Sequence, residues 1–264
     1  MSSRQATGSK YMEQHPYRRA RIRWRLAVCA LLPVLPLFLG SCGDSSERDY
    51  FPLAPGWSWN YGVISDIRNV GKFHGHNLVA NGTTVTVDGE KTTPRMYQDG
   101  HVFYYASRDE GILLVAERPA WQNAKPVQPD QWVIKYPLAI GTSWPVWSET
   151  RLLRRQVFSP TAVVSVPVVA PIEINYTVEA VNDTVKVRAG TFHDCLRIKG
   201  HGEAVVDMGV RVGEVEIIVD TTQWFAPGVG LVKVIRQEDS RPESPAAGVM
   251  TVELESIDTG SWFN

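Results

Sequence analysis

From Trp57 onward the chain alternates short apolar runs with polar punctuation, and almost none of it carries a helical period. Trp57 to Ile64 alternates aromatic and aliphatic residues with polar ones. Leu78 to Val87 is rich in β-branched residues and ends at Asp88-Gly89; Met96-Tyr97 leads to Asp99-Gly100, and Val102 to Tyr105 follows. Asp-Gly between apolar runs predicts a hairpin, because its tight turn needs positive φ. Glu110-Gly111 separates the next pair of runs and predicts a third hairpin. Further strands are expected at 163–169, 172–181, 185–187, 195–206, 210–219, 231–236 and 249–257, with Glu214 to Ile217 showing the period of two of a strand with one wet face. Residues 119–131, with three prolines, read as a loop. So does the polar run Phe73-His74-Gly75-His76. Residues 151–158 are the one stretch with helical character, and 241–248 is an excursion between the last two strands. The sum is about thirteen to sixteen strands at turn spacings of roughly 8–12 residues. The expected class is all-β: an antiparallel meander forming a curved half-barrel or sandwich.

One phrase occurs twice. Phe51-Pro52-Leu53-Ala54-Pro55-Gly56-Trp57-Ser58-Trp59 returns as Tyr136-Pro137-Leu138-Ala139-Ile140-Gly141-Thr142-Ser143-Trp144, with seven positions agreeing in kind and no gap. Two occurrences are too few for a solenoid or propeller. They predict two equivalent corners, or two similar halves starting near 50 and 136. Pro fixes the approach, Gly allows the turn and Trp starts a strand inside the core.

The first 49 residues are of a different kind. A basic run, Arg18 to Arg25, precedes sixteen mostly apolar residues, Leu26 to Ser41, and then Cys42 and a polar tether. Charged, apolar and small-residue regions in that order are a secretory signal. The apolar stretch is shorter than the roughly 20 residues of a spanning helix and holds two prolines. Leu39-Gly40-Ser41-Cys42 resembles the lipobox of bacterial lipoproteins, which implies that residues 1–41 are removed and Cys42 is lipidated. An ordinary cleaved signal and a retained membrane anchor are the alternatives. Met12 as the start would leave a leader of more ordinary length. The resemblance implies an anchor at the cell envelope, facing the periplasm. Gly43, rather than Asp, after the Cys implies the outer membrane rather than the inner. The domains expected are therefore 1–41 signal, 42–49 lipidated Cys and tether, and 50–264 a single β domain.

This division changes how charge is read. Residues 1–41 hold seven of the 27 Lys+Arg and one of the 28 Asp+Glu, so the remainder carries 20 basic and 27 acidic residues, a net of −7. An acidic domain excludes nucleic acid as an expected partner. Of the three cysteines, Cys29 lies in the leader and Cys42 at the anchor, which leaves Cys195 unpaired and expected to be a buried, inert strand residue.

Three segments resemble a broad group of uncharacterised bacterial exported proteins and lipoproteins: Tyr50 to Leu53 with Gly56, Trp59 and Tyr61; Val187 to Leu196, containing Ala189-Gly190-Thr191-Phe192; and Thr222 to Lys233, containing Ala226-Pro227-Gly228-Val229-Gly230. The resemblance implies a curved antiparallel sheet reminiscent of acyl-chain carriers, and no catalytic residue. Both glycine motifs also read simply as strand turns.

Candidate chemistry is sparse. Gly141-Thr142-Ser143 begins like a nucleophile elbow, but Trp144-Pro145 follows where a Gly and a helix are required. His74 and His76 would share one side of a strand and could ligate a metal together, with His101 from the neighbouring hairpin; a solvent-facing polar stretch is the competing reading. The acids Glu203, Asp207, Glu214, Glu216 and Asp220 are spaced as a wet hairpin face. Trp121, Trp132 and Trp147 border the Pro-rich stretch and are candidates for a ligand groove. No cofactor is expected. The function expected is non-catalytic: a membrane-tethered protein binding a hydrophobic ligand or lipid, or a partner protein, at the envelope. A structural scaffold is the alternative, and a hydrolase or metal enzyme the third.

Overall fold

The computed structural model describes residues 49–260 apart from 159, 211, 243 and 244. Residues 1–48, which hold the expected signal and Cys42, lie outside the described residues, as do 261–264. Fifteen strands occur among those described. The first run is β1 (Ser58–Ile67), β2 (Gly71–Asn81), β3 (Val85–Val87), β4 (Glu90–Tyr97), β5 (Val102–Arg108), β6 (Gly111–Arg118) and β7 (Lys125–Lys135). The second is β8 (Ser143–Glu149), a small separate hairpin of β9 (Arg154–Phe158) and β10 (Val163–Pro167), then β11 (Pro171–Val187), β12 (Gly190–Asp207), β13 (Glu214–Ala226), β14 (Gly230–Arg241) and β15 (Gly248–Asp258). Thirteen of these form one antiparallel sheet in the order β7-β6-β5-β4-β2-β1-β15-β14-β13-β12-β11-β8, with β3 paired to β4. Two meanders are thus joined where β1 pairs β15. The all-β expectation is met, and the sheet curves until its end strands face each other. They meet through side chains rather than a ladder: Trp144 Nε1 donates to the Trp132 carbonyl at 2.9 Å, and the Trp147 amide donates to Gln131 Oε1 at 2.7 Å.

The repeated phrase builds matching corners, one at the start of each meander. Gly56 and Gly141 have φ of 82° and 93°, a region that favours glycine. The Gly56 amide donates to Asn81 and the Asn81 amide to Trp57; the Gly141 amide donates to Val178 and the Val178 amide to Thr142. Trp59 and Trp144 follow at equivalent places and are 2% and 1% exposed. Each indole N–H reaches a backbone carbonyl, Val229 for Trp59 and Trp132 for Trp144, which satisfies the one polar atom of a buried tryptophan.

Side chains fill the interior. Tyr50, Phe51, Tyr105, Ile134, Trp144, Leu196, Ile198 and Phe225 form one buried cluster; Trp59, Tyr61, Val79, Cys195, Val232 and Leu254 form a second. The third, Leu153, Ile172, Ile174, Val215, Ile217 and Val219, lies towards the β9–β10 end. The entering segment is pinned by Arg95, whose guanidinium stacks 3.9 Å over Phe51 and 4.6 Å over Trp59 while donating to the Pro52 carbonyl and Asn81 Oδ1. A buried cation is tolerated here because hydrogen bonds and aromatic faces replace its water.

Several local expectations are corrected. Asp88-Gly89 is a tight turn with both φ positive, as expected, but 78–87 is two strands, broken where the Gly82 amide turns to the Pro94 carbonyl. The supposed loop at 119–131 is half strand: β7 starts at Lys125 and Pro126 pairs Ala116 beside a bulge. Edge position allows this, since a proline there breaks no inner ladder. Residues 151–158 form no helix; 151–153 are a strap, and Arg154 begins β9 and bridges to Ala246. Phe73 to His76 is strand, paired with Ser65 to Gly62 of β1. β13 starts at Glu214 rather than Val210, and its alternating burial matches the predicted wet face.

Candidate functional site

His74 and His76 point to the outer face of β2, since Val79 and Asn81, of opposite parity, are buried. There they line a shallow depression of about 170 Å³ with Gly62, Ile64, Thr251, Glu253, Glu255 and Arg188. Glu255 is its electrostatic centre: Oε2 lies 3.2 Å from His76 Nδ1, and Oε1 pairs with Arg188 Nη1 at 2.5 Å. Glu255 sits at the irregularity of the β1–β15 ladder, where Asn60 pairs Ser256 but Tyr61 pairs Leu254, and such a bulge re-aims a side chain. The missing side chain of Gly62 leaves the space that the Glu255 carboxylate occupies.

A second depression continues the first along the same outer face. It shares Ile64 and Thr251 and is walled by Asp66, Arg68, Lys72 and Asp239. Its charges are mutually compensated, with Lys72 3.3 Å from Asp66 and Arg68 3.5 Å from Asp239. Further around, Lys233 pairs with Glu253 at 2.7 Å, and Asp183 accepts from both Trp224 Nε1 and Arg197. His201 lies between Asp220 and Glu203, at 2.9 and 3.2 Å, and these hydrogen bonds, Asp220's foremost, raise its pKa.

The histidine trio is not gathered. His101 is at the β4–β5 turn, 3.2 Å from Asp99, and does not line the depression. Among the described residues no group of three or more His, Cys, Asp or Glu side chains is arranged to hold a metal. The three tryptophans face different ways. Trp121 is fully exposed at the turn between β6 and β7, Trp132 packs against the first core cluster, and Trp147 faces outward from β8. Ser143, of the elbow-like phrase, is bonded to Asn175, Tyr176 and Thr177, none of which is a base. Cys195 is wholly buried on β12, and burial first, then the nearby Asp183, pushes its thiol up to about 11.

Glu255, Arg188 and Gly62 were not singled out by sequence. Their relationship depends on a one-residue bulge and on pairing between the first and last strands, and neither leaves a local pattern. The fold and surface define an antiparallel β protein with a filled interior and an outer face that carries paired charges among exposed apolar side chains.

No protein-family model and no curated protein matches the chain. Two solved structures resemble it at low similarity. One is described as a "putative lipoprotein" from Parabacteroides distasonis, with TM-score 0.43 and 11% identity, covering 79% of this chain and 98% of that one. The other is described as a "putative exported protein with YmcC-like fold" from Bacteroides fragilis, with TM-score 0.37, 11% identity and the same coverages.

Proposed function

We propose that this is a non-catalytic envelope protein, anchored through a lipidated Cys42, periplasm-facing at the outer membrane, whose β domain binds a partner protein on its outer surface. The anchor rests on Leu39-Gly40-Ser41-Cys42 and the basic run before it. The choice of a partner over a lipid cargo is carried by one observation. Trp59, Trp144, Phe225, Ile134 and Leu196, each no more than 2% exposed, occupy the space that an acyl chain would need.

Acyl-analogue labelling and membrane fractionation of the full chain test the anchor. Cys42→Ala is expected to abolish labelling and release the protein from membranes, and unchanged behaviour of that variant refutes the anchor. Native mass spectrometry of detergent-extracted protein tests the choice of ligand. It is expected to show no stoichiometric lipid beyond the covalent one, and a retained second lipid overturns the partner reading.

A further inference from the structure

The β2 strand is longer than the neighbour on its outer side. It pairs with β1 along its whole length, Gly71 to Asn81, but with β4 only at Val79, Ala80 and Asn81. Gln98 then covers two further rungs: its backbone amide donates to the Leu78 carbonyl, its Oε1 accepts from the Leu78 amide, and its Nε2 donates to the His76 carbonyl. Because Leu78 and His76 turn these groups to the free side, alternation turns those of His74 and Lys72 the same way. Their amides and carbonyls form an open edge, a ready template for another strand.

The side chains along this edge are arranged for one particular occupant. Phe73 is 52% exposed. It is flanked by Gly71 and Gly75, where an added Cβ would meet nothing within 4 Å. The Lys72 ammonium is already 3.3 Å from Asp66, so the edge does not present an uncompensated charge.

We infer that β2 pairs antiparallel with β2 of a second copy of this chain, about a twofold axis at Phe73. In that register Lys72 faces His74 of the other copy and each such pair exchanges both backbone hydrogen bonds, consuming the groups left open. The His76 carbonyl stays with Gln98, so no existing bond is broken. Phe73 faces its own symmetry mate, and Gly71 faces Gly75, leaving room for the two rings to cover the bare backbone beside them. The contact is isologous and therefore closes at two copies. The pairing rests on one short strand edge from each copy, so the dimer is expected to form in a concentration-dependent way. The inference does not depend on lipidation of Cys42.

A single cysteine on the axis tests it. Facing residues of a non-hydrogen-bonded pair lie about 4.5 Å apart at Cα, within reach of a disulfide. Phe73→Cys in the full chain, analysed from intact cells on non-reducing gels, is expected to give a thiol-reversible band at twice the monomer mass. Val163→Cys, exposed on β10 of the small separate hairpin, and the unsubstituted chain are expected to give no such band on the denaturing gel, the latter controlling for Cys42. A missing dimer band, equal bands from Val163→Cys, or a cross-link to a protein of another mass overturns the inference. Light scattering of the purified protein gives an independent arm. The unsubstituted chain is expected to show a mass that rises with concentration and Phe73→Lys a constant monomer mass; a monomer at every concentration for the unsubstituted chain also overturns it.

Discussion

Glu238 accepts a hydrogen bond from Arg236 Nε at 2.7 Å, two residues back on β14, and both side chains are buried. The same carboxylate accepts the backbone amides of Arg151 and Leu152, and Arg236 reaches on to the Glu149 carbonyl at 2.7 Å. One ion pair therefore fastens the strap that leads from β8 to the β9–β10 hairpin. Removing one partner of a buried pair strands the other charge, at a cost of about 3–5 kcal/mol. Glu238→Ala is expected to lose that much in urea unfolding. The double change Arg236→Met, Glu238→Leu should recover part of the loss but not all, because the two strap amides stay unpaired.

Gly56 and Gly111 separate backbone strain from steric collision. Gly56 has φ of 82° with open space around its missing side chain, so Gly56→Ala is expected to cost about 1–2 kcal/mol, the ordinary left-handed penalty. At Gly111, φ is 141° and a Cβ would strike the Ile134 carbonyl on β7. Gly111→Ala should be clearly the worse of the two in a chemical-denaturation series. Equal losses would mean that β7 yields freely at this edge.

His201 sets a pH dependence of known sign. Its folded pKa lies above the ordinary histidine value of 6.5, chiefly through the hydrogen bond to Asp220. Such a group contributes its full stabilisation below the unfolded value and loses it as pH rises through the folded value. The melting temperature should therefore fall as pH is raised from 6.5 through that value, and His201→Gln should flatten this part of the curve. The site is more than half exposed, so high salt should diminish the difference.

Cys195 should behave as a reporter of unfolding. A buried thiol with its pKa pushed up to about 11 presents little thiolate near neutral pH. Alkylation is expected to be slow in buffer and fast in denaturing urea, followed as mass gain with time. Rapid native labelling at this position would contradict the packing of the second core cluster.

Much of the strand pattern was legible locally. The Asp88-Gly89 turn, the Glu110-Gly111 hairpin and the wet alternation of β13 each depend on residues adjacent in sequence. Three stretches were not legible for the same reason. Phe73 to His76 carries no apolar alternation, yet it is strand because β1 supplies the ladder. Lys125 to Gln131 holds two prolines, yet it pairs because the sheet ends there. Residues 151–158 have a helix-like composition, but Glu238, far along the chain, takes up the strap amides.

By itself the sequence determined the all-β class, the acidity of everything after Cys42, Cys195 as the one cysteine beyond Cys42, and the paired Pro-Leu-Ala corners, because period, turn chemistry and charge are local properties. The tertiary structure alone decided that β1 meets β15, that Glu255 lies beneath His76, that the interior is filled, and that β2 outruns β4 to leave an edge at Phe73. These depend on register between distant strands, where a shift of one residue exchanges inside for outside. No local pattern encodes that choice; the summed packing of the whole sheet does.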